Sequence, residues 1–341
     1  MEEQKIKHNN FLAFVLFLSI FMNGFEGGGY QTCLMSIGKE FSLTDAVSGM
    51  IASAQLIAVF QSISIAGLSD AYPVSGGKKI GMITSMYSLG AVTAPLVCGK
   101  MIESGITWRM LFVFVGIMAA FITAGLAFTN FEVKEHPAAE IDHENKISGN
   151  WSTAVISILC FIMFIYVGVE NGFAFFINSF MKETLGAEHS YIALSMFWLA
   201  MIPSRMICGY LQKRKGILLI TAASGTALAA VVMSVVQSGN TAVILSFILG
   251  FFSGAIYPNV LNFAMENAGN KSATATGLIT AATGLGGAVI TASFGFVAEL
   301  FGIRTAFDVL SVLMIMDIAA AAILIIIVRK NNVRDIGGYG D

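Results

Sequence analysis

The sequence predicts an all-α membrane protein of about ten transmembrane helices, divided four plus six between two bundles. Three observations predict it. Of the 341 residues, 56% are apolar and only 12% charged, about half the charged share of a soluble domain. Mean hydropathy is +0.78, and the apolar residues gather into runs long enough to cross a bilayer. Stretches from the first half of the chain also recur in the second, which marks a duplicated architecture.

Apolar stretches bounded by charge fall at 11–37, 44–68, 79–101, 109–129, 152–180, 190–211, 216–237, 241–264, 274–300 and 305–328. At about 1.5 Å per residue, some twenty residues cross the ~30 Å hydrocarbon layer, so each stretch is long enough. The first is not expected to be a cleavable signal, because it lacks a small-residue cleavage site and continues into a polar, glycine-rich segment. Residues 130–151 make the one long polar loop, with Lys134, Lys146, His136, His143 and five acids. The expected organisation is a shortened four-helix bundle over 1–129, a cytoplasmic linker over 130–151, a six-helix bundle over 152–330 and a cytoplasmic tail over 331–341.

Charge orients these spans. With the N-terminus inside, 14 of the 19 Lys and Arg fall on the inner side, Arg205 among them, and five (Lys39, Lys100, Arg109, Lys182, Arg304) on the outer side. That excess predicts a multi-pass cell-membrane protein with both termini in the cytoplasm. A net charge of -2 provides no basic face for nucleic acid. Cys33, Cys98, Cys160 and Cys208 all lie in apolar runs without paired spacing, which excludes a disulfide framework and a CxxC metal site.

The repeat has two parts. Gly24-Phe25-Glu26-Gly27 resembles Gly168-Val169-Glu170-Asn171-Gly172, and both lead to a Lys-Glu pair, Lys39-Glu40 and Lys182-Glu183, offset by 143. Residues 81–104 align without gaps to 277–300, with seven identities that include Gly90/Gly286, Gly99/Gly295 and Glu103/Glu299, at an offset of 196. The offsets differ by 53 residues, the length of two membrane helices with their turns. A six-plus-six plan with one hairpin missing from the first half accounts for the difference.

That plan resembles the major facilitator superfamily, over nearly the whole chain. Gly67-Leu68-Ser69-Asp70 is similar to the start of the family's G-x-x-x-D-R-x-G-R-[KR] loop, whose basic remainder is replaced here by Ala71-Tyr72-Pro73-Val74-Ser75. Trp108-Arg109-Met110-Leu111-Phe112 resembles the family's W-R-x-x-F. Tyr166-Val167-Gly168-Val169-Glu170 is similar to the seventh helix of the fucose-permease-like sugar/proton symporters. The resemblance implies a secondary transporter that moves a small polar solute, a sugar with protons, by alternating access. Its partners would be the lipid bilayer, the solute and protons, and no cofactor is implied. Asp70 and Arg109 would serve gating or structure. Loss of the family's third and fourth helices would open one side to lipid, and a homodimer would cover that opening.

Ionisable groups inside spans are costly and mark function. Glu26 is one, and Asn23, Glu26 and Tyr30 share a helix face. Gly27-Gly28-Gly29 is expected to break this helix at mid-membrane and expose backbone to a solute. Glu170 is the repeat counterpart of Glu26, so both are candidates for proton coupling; packing glue is the competing role. Asn171 and Asn178 offer amide donors and acceptors to hydroxyls, over a floor from Phe175, Phe176 and Trp198, or serve as interhelical contacts. Gln55 extends a thin polar stripe on the second span. Tyr257, Asn259 and Asn262, near Pro258, are candidates to line the C-terminal side of the cavity; the alternative is that Pro258 simply kinks the helix. Asp317 is a mid-span acid expected to pair with an inner helix or to mark a protomer contact.

Gly81, Gly90, Ala94-Pro95 and Cys98-Gly99 resemble the G-x8-G-x3-G-P-x2-G-G pattern of drug/proton antiporters, with two glycines replaced. Packing explains most of it, since the repeat partner retains Gly277, Gly286 and Gly295, and efflux remains the alternative together with a non-transporting relative. Enzyme chemistry is not expected. No G-x-x-x-x-G-K-[ST] or H-E-x-x-H occurs, and His8, His136, His143 and His189 all fall in loops or flanks. No metal site is expected.

Overall fold

Among the described residues the apolar stretches are helical, the second as far as Gln55, and no strand forms. The computed structural model describes residues 2–55, 76–127, 151–211, 214–268 and 271–337. In chain order the helices are α1 Glu2–Glu40, α2 Asp45–Gln55, α3 Gly76–Glu103, α4 Arg109–Ala127, α5 Thr153–Ser179, α6 Tyr191–Tyr210, α7 Lys215–Val235, α8 Gly239–Gly254, α9 Ile256–Asn267, α10 Ser272–Phe301 and α11 Ile303–Gly337. With α8 and α9 counted as one broken span, the expected ten stretches are present. Among the described residues, seven helical stretches are long and apolar enough to cross a membrane. Asp70, most of the linker over 130–151 and the end of the tail lie outside the described residues.

Local chemistry sets the helix ends. Ser152 caps α5 by accepting from the Val155 N–H at 3.5 Å, which satisfies one of the four orphan donors of a helix start. Gly302, at φ +87, separates α10 from α11. A turn with Ser42 at φ +52 joins α1 to α2. We refer to this end of the molecule as the turn end.

α1 packs chiefly on α3 and then α4, while α5 packs on α10, α11 and α9. α6 lies on α8, and α7 lies on α8 and α11. The two groups meet through α3 against α6, α2 against α10 and α1 against α5.

Three expectations are corrected. α1 is unbroken through Gly27-Gly28-Gly29; the glycines serve close approach instead, since a Cβ on Gly28 would meet the Ala91 carbonyl oxygen at 2.6 Å and one on Gly29 would meet Leu111 Cδ1 at 2.7 Å. The span expected at 241–264 is interrupted at Ala255, three residues before Pro258, where a proline has no N–H to continue the ladder. Arg205 is buried within the protein at 4% exposure rather than lying at a span end; without it the Lys and Arg bias is thirteen to five.

Candidate functional site

The interface between the two helix groups carries the charged and aromatic residues. On α5 the Glu170 carboxylate accepts from the Tyr166 hydroxyl one turn earlier. The same oxygen lies 3.7 Å from Arg205 Nη2 on α6, with both side chains buried. A buried charge persists only when paired and hydrogen-bonded, and Glu170 has both partners. Half-buried Tyr257 on α9 sits in the field of Arg205 and Glu170.

Across the interface, Tyr87 on α3 lies within electrostatic reach of Glu170, Glu26 and Arg205. Its ring meets Trp198 of α6 edge-on at 5.6 Å. The buried Trp198 donates its indole N–H to Gln31 Oε1 on α1 at 3.1 Å. Tyr30, next to Gln31, meets Phe175 of α5 edge-on at 5.8 Å and Phe112 of α4 at 6.2 Å. Glu26 acts on both Tyr30 and Tyr87. Asn23, Glu26, Tyr87 and Tyr257 are half-buried, so this side of the cluster is not sealed by protein.

The structure therefore brings Glu26, Tyr30, Glu170 and Trp198 together. Asn171 donates to the Val167 carbonyl of its own helix at 3.0 Å. Asn178 is buried at 1% exposure, with neither amide atom hydrogen-bonded. Asn259 lies apart from the cluster's charged centre and donates to the Lys215 carbonyl at 2.8 Å, tying α9 to the start of α7. Gln55 ends the described part of α2, and Pro95 is buried inside α3. Asp317 is buried at 1% exposure and its Oδ1 has no hydrogen bond. Sequence reasoning missed Gln31, Tyr87 and Arg205 as site residues. Arg205 had a usable signal, being a charge six residues inside the apolar stretch 190–211.

Closer to the turn end the groups are clamped together twice, by repeat-related residues. Glu103 of α3 bonds His189 Nδ1 at 2.9 Å and accepts from the Tyr191 hydroxyl at 3.4 Å, at the start of α6. Glu299 of α10 accepts from the Ala46 N–H at 2.9 Å, at the start of α2. One turn earlier in each case, Gly99 abuts the Tyr191 ring and Gly295 comes within 3.2 Å of Gly49, measured from an added Cβ to Cα. The Ser195 hydroxyl adds a bond to the Val92 carbonyl at 3.3 Å. Beside the clamp, Arg109 grips Glu40 through two bonds of 2.6 and 3.0 Å and lies over the Trp108 ring. The glycines of α3 are thus spent on packing: Gly90 abuts the Phe21 backbone and Gly99 the Tyr191 ring.

A sequence profile described as Major Facilitator Superfamily matches residues 56–291. The chain is 23% identical over 234 residues to the glucose/mannose transporter GlcP of Bacillus subtilis (strain 168), covering 65% of this chain and 58% of that protein. It is 22% identical over 256 residues to a glucose/galactose transporter of Brucella abortus biovar 1 (strain 9-941), covering 69% and 60%. The chain therefore spans less than two thirds of the length of these relatives. In fold it is similar to a bacterial homolog of the human lysosomal transporter Spinster, with a TM-score of 0.67 at 14% identity, covering 93% of this chain and 97% of that one. The E. coli fucose:proton symporter FucP matches with a TM-score of 0.53 at 12% identity, covering 94% and 92%.

Proposed function

The chain belongs to the Major Facilitator Superfamily, and from that premise we propose that it is a secondary transporter moving a neutral sugar with protons by alternating access. The observation that carries the coupling is the Glu170 carboxylate held between the Tyr166 hydroxyl and the Arg205 guanidinium at the interface of the two helix groups. A proton taken up by Glu170 neutralises the carboxylate and weakens its hold on Arg205. The guanidinium, a donor without acceptor capacity, is then available to solute hydroxyls. Tyr87, Gln31 and Trp198 supply further polar and aromatic contacts beside it. Glu26 shares the electrostatic neighbourhood of Tyr87 and is the second coupling candidate.

The names of the glucose-transporting relatives support the sugar assignment, and the charge bias of the loops supports cytoplasmic termini with the turn end outside. In this reading the paired clamps close the outer side, and the two groups rock about the Tyr87–Trp198 contact. Each state is a discrete arrangement biased by solute and proton.

The test is sugar-dependent proton uptake in vesicles reconstituted with the 341-residue chain. D-glucose or D-galactose is expected to drive proton entry in the parent chain, and Glu170→Gln is expected to abolish it while sugar still binds. A monodisperse chain that shows no proton signal with any neutral sugar sinks the symport reading.

A further inference from the structure

At the turn end, a cavity of about 340 Å³ opens between α1, α2 and α5. Its size lies within the range of small-molecule sites, about 300–1,000 Å³. Lys39, Asp45, Ser48, Ser179 and Glu183 supply its polar wall, and Phe176 and Leu34 are among its apolar residues. It lies beside the clamp formed by Glu299 and the Ala46 N–H, one residue from Asp45.

Two features distinguish this wall from an ordinary solvated surface. Ser48 is only 8% exposed, and among the described residues its hydroxyl, like the side chains of Lys39, Asp45, Ser179 and Glu183, has no hydrogen bond or ion pair. Buried polar groups in folded proteins are normally satisfied, so the unspent Ser48 hydroxyl on the cavity wall, with half-buried Asp45 and Ser179 and exposed Lys39 and Glu183 around it, points to a ligand. The repeat supplies the second feature. Glu40, the counterpart of Glu183, is committed to Arg109 and Trp108. Arg304 opens α11 as Arg109 opens α4, yet it donates to the Ser234 carbonyl at 2.6 Å and lies over the Phe180 ring. In the second half the glutamate and the arginine are not paired with each other, and the Glu183 carboxylate stands in the cavity wall.

We propose that this cavity is a second solute site, a vestibule that takes a neutral monosaccharide before the clamp opens. This rests on the sugar reading above. Carboxylates accept from paired hydroxyls, Lys39 donates, the serines do both, and Phe176 offers an apolar face to the sugar ring. One lysine against two acids suits a neutral polyol better than an anion.

The experiment uses the full chain in nanodiscs, with Ser179→Cys in a Cys160→Ala background; the other native thiols, Cys33, Cys98 and Cys208, are buried. A soluble maleimide labels position 179, and size-exclusion chromatography establishes that each variant is folded. Saturating D-glucose is expected to slow labelling by about fivefold or more, and L-glucose to have a smaller effect. Asp45→Asn combined with Glu183→Gln is expected to remove that protection, whereas Glu170→Gln retains it. Unprotected labelling in a chain that still takes up D-glucose overturns the vestibule and leaves the transport reading standing. Absence of both protection and uptake overturns both. Protection that survives the Asp45 and Glu183 changes belongs to the central site, and also overturns the vestibule.

Discussion

The α1–α3 pair and the α5–α10 pair are two versions of one design. Gly90 of α3 abuts the backbone at Phe21, and Gly286 of α10 abuts the backbone at Phe164, two positions separated by the same 143 residues as the Lys-Glu pairs. Gly99 and Gly295 each seat the start of the other group's second helix, and Glu103 and Glu299 each bond to it. What differs is the central glutamate. Glu170 is buried between Tyr166 and Arg205, whereas Glu26 is half-buried in a glycine-rich turn of α1. Packing contacts have stayed equivalent while the charged positions diverged, so divergence between the halves marks where the chemistry is.

The strongest way to break the comparison is to remove the arginine that lies beside Glu170. Arg205→Ala leaves Glu170 as an uncompensated buried charge, and the expected loss is about 3–5 kcal/mol, read as a lower midpoint in thermal unfolding in detergent. Combining it with Glu170→Gln is expected to recover much of that stability without recovering proton-coupled uptake. Glu26→Gln, at a half-buried position, is expected to lower the midpoint less than Arg205→Ala does. Equal losses from Glu26→Gln and Arg205→Ala would erase the asymmetry.

The shared part of the design predicts equal effects. Gly90→Val and Gly286→Val both drive a side chain into the backbone of the facing helix, and overpacking of this kind costs about 1–3 kcal/mol. The two variants are expected to agree within experimental scatter in the same unfolding assay. A large effect in one half alone would show that the halves are packed by different rules.

Much of this was legible in the sequence because the repeat is written in glycines and glutamates. Span positions, the pairing of residues 81–104 with 277–300 and the candidacy of Glu26 and Glu170 all follow from periodicity and intramembrane cost. The break at Ala255 was partly signalled by Pro258. Arg205 was misread because a charge six residues from the end of an apolar stretch reads equally as an interfacial anchor or a buried partner. Gln31 and Tyr87 were missed because a lone amide or tyrosine in a span acquires meaning only from the helix opposite. The same limit applied to Gly27-Gly28-Gly29, where a close neighbour, rather than helix propensity, decides the outcome.

A smaller difference is expected at the clamps. Glu103 bonds side chains on an exposed loop and helix start, whereas Glu299 bonds a backbone N–H. Exposed ion pairs are weak and screened by salt, so Glu103→Gln is expected to change turn-end accessibility by less than about threefold. Glu299→Gln loses a charge-assisted bond and is expected to have the larger effect. Labelling of Ser179→Cys without sugar measures both. A larger effect from Glu103→Gln would reverse the ranking of the two clamps.

The smallest effect concerns Glu40 and its pH dependence. Arg109 and Trp108 hold the Glu40 carboxyl below the ordinary range, so folding binds this proton less tightly than the unfolded chain does. The contribution is therefore present above the ordinary glutamate value of about 4.3 and is lost as pH falls through the lowered native value. Between pH 6 and 8 the contact is constant, and loss begins below about pH 4.3. Arg109→Lys removes the paired geometry of the guanidinium and is expected to lower the neutral plateau slightly and so flatten the acid limb, the two chains converging at low pH. Glu183 has no arginine to lose, so Glu183→Gln is expected to leave that limb as it is in the parent chain. Unfolding midpoints measured from pH 3 to pH 8 compare the two glutamates directly, and an acid limb that depends on Glu183 would mean that both halves keep their structural ion pair.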